Sequence, residues 1–352
     1  MKTFASLVFM TACSFFSFKL SGQVSSAILQ DQFIYDTASF PSCHASTIVE
    51  TPGGLVAAWF GGTNEGNPDV CIYMSRYNKG KWTAPRMIAD GWINEKTRYA
   101  CYNPVLYQVP GGELILFYKI GPNVQGWTGW IKRSNDHGET WSAAEQMPDG
   151  ILGPIKNKPV LRDGLLICPS STENKGWRVH FEYTRDFGHS WTKSEVLNDG
   201  KTLSGIQPSI LEHGNSKLQA ICRSMDGVLN ETWSYDNGRT WTMLQPTVIP
   251  NNNSGIDAAT LKSGRHILVY NHVKSAKGEW GPRSPINLAV SDDGKLWYSS
   301  LVLYDEKGAE FSYPYVLQTS DGLVHIVYTW KRKKIRHVVI DPEKLVKGVR
   351  IT

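Results

Sequence analysis

Cysteine is scarce in this chain and long apolar stretches are nearly missing, and both absences narrow what it can be. Six cysteines occur in 352 residues, none in a Cys-x-x-Cys pair, which argues against a disulfide-stapled framework or a cysteine zinc site. Five of them (Cys43, Cys71, Cys101, Cys168 and Cys222) sit in or beside strand-like apolar runs and read as buried free thiols. The nine histidines are scattered, and none has the spacing of a zinc motif. The expectation is a protein with no metal and no cofactor. Charge of either sign is also modest. The formal net charge is +5, or +3 without Lys2 and Lys19, so nothing points to a nucleic-acid partner. The densest basic run, Lys331-Arg332-Lys333-Lys334, lies between two strand-like runs and reads as an exposed hairpin tip.

The longest apolar run spans Phe4 to Phe18. It follows Lys2 and precedes the small residues Ser21 and Gly22, the order of an export signal. It is too short for a good membrane span. Residues 1–22 are expected to be a signal peptide and residues 23–352 one domain, secreted or periplasmic. Met10-Thr11-Ala12-Cys13 resembles a lipid-attachment box with Met where Leu is usual, so a lipid anchor at Cys13 on an outer surface is the alternative.

No long helical period appears. Strand-like runs such as Leu55–Trp59, Val70–Ser75, Leu114–Tyr118 and His266–Tyr270 are broken every eight to twelve residues by Gly, Asn, Asp or Pro. Aromatic residues are abundant, with 13 Trp and 15 Tyr, and suit a large β core. One pattern recurs. It reads Ser134-Asn135-Asp136-His137-Gly138-Glu139-Thr140-Trp141, then Thr184-Arg185-Asp186-Phe187-Gly188-His189-Ser190-Trp191, then Ser234-Tyr235-Asp236-Asn237-Gly238-Arg239-Thr240-Trp241, with a shortened copy, Ser291-Asp292-Asp293-Gly294-Lys295-Leu296-Trp297. The Asp accepts bonds from the backbone of a tight turn, Gly supplies a positive φ, and Trp anchors the hairpin. These are folding devices, and no catalysis is expected of their Asp residues. The first three copies start fifty residues apart, a period that selects a β-propeller with about four strands per blade.

A second repeat counts the blades. It is a polar residue, often followed by Pro, ahead of a short apolar strand. The instances are His44-Ala45-Ser46-Thr47, Asn103-Pro104-Val105, Lys158-Pro159-Val160, Gln207-Pro208-Ser209, Asp257-Ala258-Ala259 and Tyr313-Pro314-Tyr315. Six units imply six blades. Pro is tolerated at the first residue of a strand, and first strands line a propeller's channel. His44, Asn103, Lys158, Gln207, Asp257 and Tyr313 are therefore expected to form one ring at one end of that channel. So many titratable groups in a ring mark a candidate site.

The Asp boxes and strand runs, over roughly residues 35 to 340, resemble the sialidase (neuraminidase) superfamily. That resemblance implies three arginines around a substrate carboxylate, an Asp acid/base, and a Tyr nucleophile paired with a Glu. Gln207-Pro208-Ser209-Ile210-Leu211, followed by Ile221-Cys222-Arg223-Ser224, resembles the segment carrying the second arginine, which places it at Arg223. Pro282-Arg283-Ser284-Pro285-Ile286-Asn287-Leu288 places the third at Arg283. Tyr313 corresponds to the nucleophile. Asp69, in Gly66-Asn67-Pro68-Asp69-Val70, corresponds to the acid/base, with Glu65 a neighbour able to serve instead. Two positions depart. His44 stands where the first arginine belongs, and Gln207 stands where the Glu belongs.

The resemblance implies a secreted exo-glycoside hydrolase that takes a terminal acidic sugar, sialic acid or similar, from a glycan. A phenol avoids the repulsion a carboxylate nucleophile would meet, but its pKa near ~10 calls for a base or a positive field. Arg223, Arg283 and Lys158 would supply the field, and Asp257 or His44 would take the proton; Asn103 is a further substrate contact. Two other readings stand beside this one. His44 acts as acid/base in a glycosidase or lyase on a uronate-containing polysaccharide, or the propeller binds carbohydrate without turnover. Among the aromatics Trp59, Tyr99, Trp127, Trp130, Trp177 and Trp280, most read as blade core; Trp177 and Trp280, between Gly and charged residues, are the candidates for loops that meet sugar.

Overall fold

A computed structural model describes residues 25–352. The expected leader and the alternative anchor at Cys13 lie outside the described residues.

Six antiparallel sheets are arranged as blades, each running from an inner strand to an outer one. The inner strands are Ser42–Thr51, Ala100–Gln108, Val160–Arg162, Ile206–Glu212, Asp257–Thr260 and Phe311–Gln318. Blade six is closed by the start of the chain. Ile28–Phe33 pairs antiparallel with Lys334–Ile340 and forms the outer strand of that blade. This closure ties the two ends of the described chain into one sheet, leaving no gap in the ring of blades. The protein is an all-β, six-bladed propeller.

The packing counts the blades a second time. Among the described residues there are six buried apolar clusters, one between each pair of neighbours. Val56, Phe60, Leu116 and Tyr118 join blades one and two. Phe117, Ile131 and Leu166 join two and three, and Phe181, Ile210 and Leu218 join three and four. Ile221, Leu268 and Trp297 join four and five, and Ile267, Val316 and Ile326 join five and six. Trp59, Tyr315 and Val327 close six onto one. The second strands, Gly54–Gly62, Leu114–Gly121, Leu165–Thr172, Leu218–Arg223, His266–Tyr270 and Val324–Trp330, are buried almost throughout because the sheets are covered on both sides there. That is why the runs read as near-continuous hydrophobic segments rather than strict alternations.

The Asp boxes form the corners between third and fourth strands. Asp186 accepts from Ser190 N at 2.8 Å, Ser190 Oγ at 2.6 Å and Thr184 Oγ1 at 2.8 Å. Asp236 and Asp136 repeat the pattern with Thr240 and Thr140. Trp191, Trp241 and Trp297 each donate their indole N–H to the box Gly carbonyl at 3.0 Å. The positive φ falls on two consecutive residues. His137, Phe187 and Asn237 share it with the glycines that follow them. All five cysteines of the described chain are buried free thiols.

Candidate active site

The six-residue ring is only partly as the sequence suggested. Asn103, Gln207 and Tyr313 have positive φ values of 36°, 54° and 53°, each at a register shift in the inner strand of its blade. The polar-Pro signature thus marks a β-bulge, where one extra residue is turned out of the ladder. In blade one the bulge residue is Ala45, with φ 55°, and His44 precedes it.

Blades three and five depart. A Cβ built on Gly255 would lie 3.1 Å from Tyr313 Cδ2, 3.2 Å from Gln207 Oε1 and 3.2 Å from Lys156 Cε. Gly255 and Lys156 are therefore the residues at the level of Tyr313. Lys158 and Asp257 lie two residues further along the chain, one step deeper in the channel. There Lys158 Nζ donates to Asp257 Oδ2 at 2.7 Å and to the Ala258 carbonyl at 2.9 Å. Asp257 also accepts from Ser209 Oγ and from Val316 N, both at 2.7 Å. The two residues expected to supply field and base instead hold four blades together below the site.

At the upper level the chemistry converges on Tyr313. Its hydroxyl is 2.6 Å from Arg223 Nη1 and 3.3 Å from Gln207 Nε2. Arg223 stands at the end of the second strand of blade four, Leu218–Arg223, and is 2 % exposed. Its other contacts are neutral: Gln207 Oε1 at 3.3 Å, and the carbonyl and Oδ1 of Asn253 at 2.9 and 3.1 Å. Its guanidinium lies between the rings of Trp177 and Trp280, at 4.9 and 5.2 Å. Both loop tryptophans thus belong to the site, whereas Trp59 and Trp130 are core. Trp280 also lies 5.4 Å from Arg283, yet is 61 % exposed.

His44 packs against Tyr313 with ring centroids 4.0 Å apart. Its Nδ1 is 2.9 Å from Thr329 Oγ1, while its buried Nε2 has no partner. Burial first, then Arg332, Arg283, Arg223 and Lys156, hold His44 well below the ordinary histidine range. Lys156 Nζ is fixed by Asn157 Oδ1, the Ile256 carbonyl and the Pro314 carbonyl at 2.8, 3.0 and 2.7 Å, and lies 5.7 Å from the Tyr313 ring. Burial lowers it to about 7.

A third arginine is present, from a place the sequence reading assigned to solvent. Lys331–Lys333 do form a hairpin tip, between Val324–Trp330 and Lys334–Ile340. The tip is drawn inward because Cys43 N donates to the Arg332 carbonyl at 2.7 Å. The Arg332 side chain then shares Glu310 Oε1 with Arg283, each at 2.7 Å. Arg332 also reaches Glu65 at 2.6 Å. Burial opposes charge on Glu310, but Arg283 and Arg332 outweigh it and hold the carboxyl below its usual range. The arginine absent at position 44 in blade one is matched by one from blade six.

The two carboxylates proposed for proton transfer are placed differently. Asp69 accepts from Thr63 N and Thr63 Oγ1, both at 2.9 Å, within its own loop. None of its hydrogen bonds reaches Tyr313 or the arginines. Glu65, on the same loop, touches the cluster through Arg332. Asn103 is buried at the bulge with its Nδ2 unpartnered. Three site residues escaped the sequence reading besides Arg332: Lys156, Glu310, just ahead of the strand Phe311–Gln318, and Asn253. The run Asn251-Asn252-Asn253, wholly buried, was the available signal for the latter. Among the described residues no group of three or more His, Cys, Asp or Glu is placed to hold a metal.

A six-bladed propeller with clustered arginines and a tyrosine at the mouth of its channel defines a sialidase-like protein. Residues 53–326 match the model of the BNR repeat-like domain, and the chain belongs to that family. A sialidase of Paraclostridium sordellii is 25 % identical over 232 residues, covering 57 % of this chain and 56 % of that one. The chain spans about half the length of the curated relatives it matches. Among solved structures, NanB sialidase of Streptococcus pneumoniae (K499G mutant) superposes with a TM-score of 0.70 at 12 % identity, over 90 % of this chain and 71 % of that one. The intramolecular trans-sialidase of Ruminococcus gnavus gives 0.69 at 13 %, over 92 % and 99 %. At these identities the structural likeness is one of fold. No helix of the described residues is long and apolar enough to cross a membrane.

Proposed function

We propose that this protein is a secreted exo-glycoside hydrolase that removes a terminal acidic sugar, sialic acid or a close relative, from a glycan. The observation that carries the reading is the Tyr313 hydroxyl held at 2.6 Å by Arg223 beside Arg283 and Arg332. Arg223 has only neutral partners, so its charge is available to a carboxylate, and a planar guanidinium suits one. Tyr313 is placed to attack an anomeric carbon that itself bears the carboxylate, since a neutral phenol escapes the repulsion an acidic side chain would meet there.

Gln207 cannot take the phenol proton. His44, which packs on the ring and has an unpartnered Nε2, is the residue we assign to take it in its place. Burial, the arginines and Lys156 oppose its protonation. A bound carboxylate would offset that field and raise its basicity, so the base would be switched on by the substrate it serves. The same ring supports a second reading, proton transfer by His44 on a uronate glycan, because the unpartnered nitrogen sits inside an anion-binding field.

The test is turnover of an aryl α-ketoside of sialic acid beside aryl uronides. Wild-type protein is expected to release the aryl group from the sialoside. Tyr313→Phe should lower kcat by about a hundredfold or more, the scale of losing a group that acts in the transition state. Unchanged turnover in Tyr313→Phe contradicts the nucleophile assignment. Turnover of uronides alone, lost in His44→Gln, establishes the second reading. Binding of acidic glycans with no turnover of either class makes the protein a carbohydrate-binding propeller.

A further inference from the structure

We propose that Glu65 competes with the substrate's carboxylate for Arg332, and so sets how tightly the site holds an acidic sugar; this rests on the acidic-sugar reading above. Arg332 has two carboxylate partners, and the fold holds them in different ways. Glu310 Oε1 accepts from Arg332 Nε, Arg283 Nη1 and Ser312 Oγ, each at 2.7 Å. Glu310 stands directly ahead of the inner strand of blade six, Phe311–Gln318, and its backbone carbonyl accepts from Lys331 N at 2.7 Å. It is built into the sheet end. Among the described residues the Glu65 side chain makes one hydrogen bond, accepting from Arg332 Nη1 at 2.6 Å.

The loop that carries Glu65 adds no further hold. Residues 63–68 are all exposed. Asn67 N donates to the Asn64 carbonyl at 3.1 Å, and Asn67 Nδ2 to Thr63 Oγ1 at 2.8 Å. Thr63 in turn donates to Asp69. These bonds stay within the loop. Among the described residues, the Glu65–Arg332 pair is the one hydrogen bond that joins residues 63–68 to another blade. Its side chains are 39 % and 29 % exposed, so water reaches both partners. An ion pair in that setting contributes little to stability, and Glu65 can leave Arg332 without dismantling any strand.

Charge and donor geometry both favour exchange. Arg283 and Arg332 bring two positive charges, and Glu310 and Glu65 match them one for one. A carboxylate that joined this group would meet Glu65 as a like charge, whereas one that replaced Glu65 would leave the charges matched. Glu310 uses Nε of Arg332 and Glu65 uses Nη1, while Nη2 makes no hydrogen bond among the described residues. A planar guanidinium binds a carboxylate best through two parallel N–H groups. The pair formed by Nη1 and Nη2 is available to a ligand only when Glu65 gives up Nη1. A neutral sugar offers nothing in exchange for that bond, and an acidic one does. Glu65 is thus a specificity-determining residue that acts on binding, before any bond is broken.

Calorimetric titration of wild-type protein and Glu65→Gln tests this, with sialic acid, glucuronic acid and the methyl ester of each as ligands. Gln keeps the size of the side chain and removes its charge. The acid that wild-type protein binds is expected to bind Glu65→Gln about two- to fivefold more tightly, the scale of an ion pair between partly exposed side chains. Its methyl ester should bind both proteins alike, and the thermal midpoint should be unchanged. A gain shared equally by acid and ester would come from the loop and not from competition between charges. Equal or weaker binding of the acid in Glu65→Gln would mean that Glu65 is indifferent to the ligand or helps to hold it. Each of these results overturns the proposal while the acidic-sugar reading stands. Wild-type protein that binds neither acid overturns both.

Discussion

The two levels of the channel hold similar residues and treat them in opposite ways. At the lower level Lys158, Asp257 and Ser209 satisfy one another, and Asp257 makes three bonds at 2.7 Å to three different blades. At the upper level, one pleat higher, His44 Nε2, Asn103 Nδ2, Arg223 Nε and Asn253 Nδ2 are buried and unpartnered. Charge and burial alone do not separate a structural tie from a binding site. What separates them is whether the polar atoms are already paired. The lower level is closed on itself, and the upper one keeps polar atoms unpaired.

The sharpest way to break that contrast is to damage the closed level. Asp257→Asn removes the charge that compensates Lys158 and should destabilise the fold by about 3 kcal/mol, the scale for a largely buried pair that loses one partner. Chemical denaturation reads it. If the loss is negligible while binding of an acidic sugar disappears, the lower level belongs to the site and the distinction fails.

Acid is the next probe. His337 is lowered to about 3 and His266 to about 4, each chiefly by burial and then by a neighbouring histidine, and His44 is lowered as well. A histidine held neutral in the folded state contributes stability above its unfolded pKa near ~6.5. That contribution is lost as pH falls from there toward 4 and 3. The thermal midpoint should therefore be level above about pH 7 and decline steadily below about 6. Bound acidic sugar should slow the decline, through His44 and the arginines. A midpoint that rises on acidification contradicts the neutral-histidine account.

The smallest effect is expected at the Asp boxes. Asp186→Ala removes hydrogen bonds from a partly solvated turn and should cost about 1 kcal/mol with turnover unchanged. A loss of activity greater than the loss of stability explains would give these corners a role beyond folding.

The comparison also shows what a chain of this kind reveals before it is folded. The six blades were legible because each must repeat one inner strand and one corner, and both leave residues of fixed type. The register was legible only where Pro follows a bulge. At Lys158-Pro159 the Pro precedes a strand without a bulge, and Asp257 has no Pro at all. A residue pair read at the wrong phase of a two-residue period moved from the closed level to the open one. Tyr313 and Gln207 were found because they carry such marks, and Arg223 because the segment around it resembles one of the sialidase superfamily. Arg332 was not, since a run of four basic residues normally faces water, and only the Cys43–Arg332 backbone bond turns this one inward.

On the proposed function, the upper level reads a carboxylate. Calorimetric titration of wild-type protein with sialic acid and with its methyl ester tests this most directly. The account predicts that the acid binds and the ester, identical but for the charge, binds at least about tenfold more weakly, with the gap closing in Arg223→Gln. Equal binding of acid and ester would contradict it.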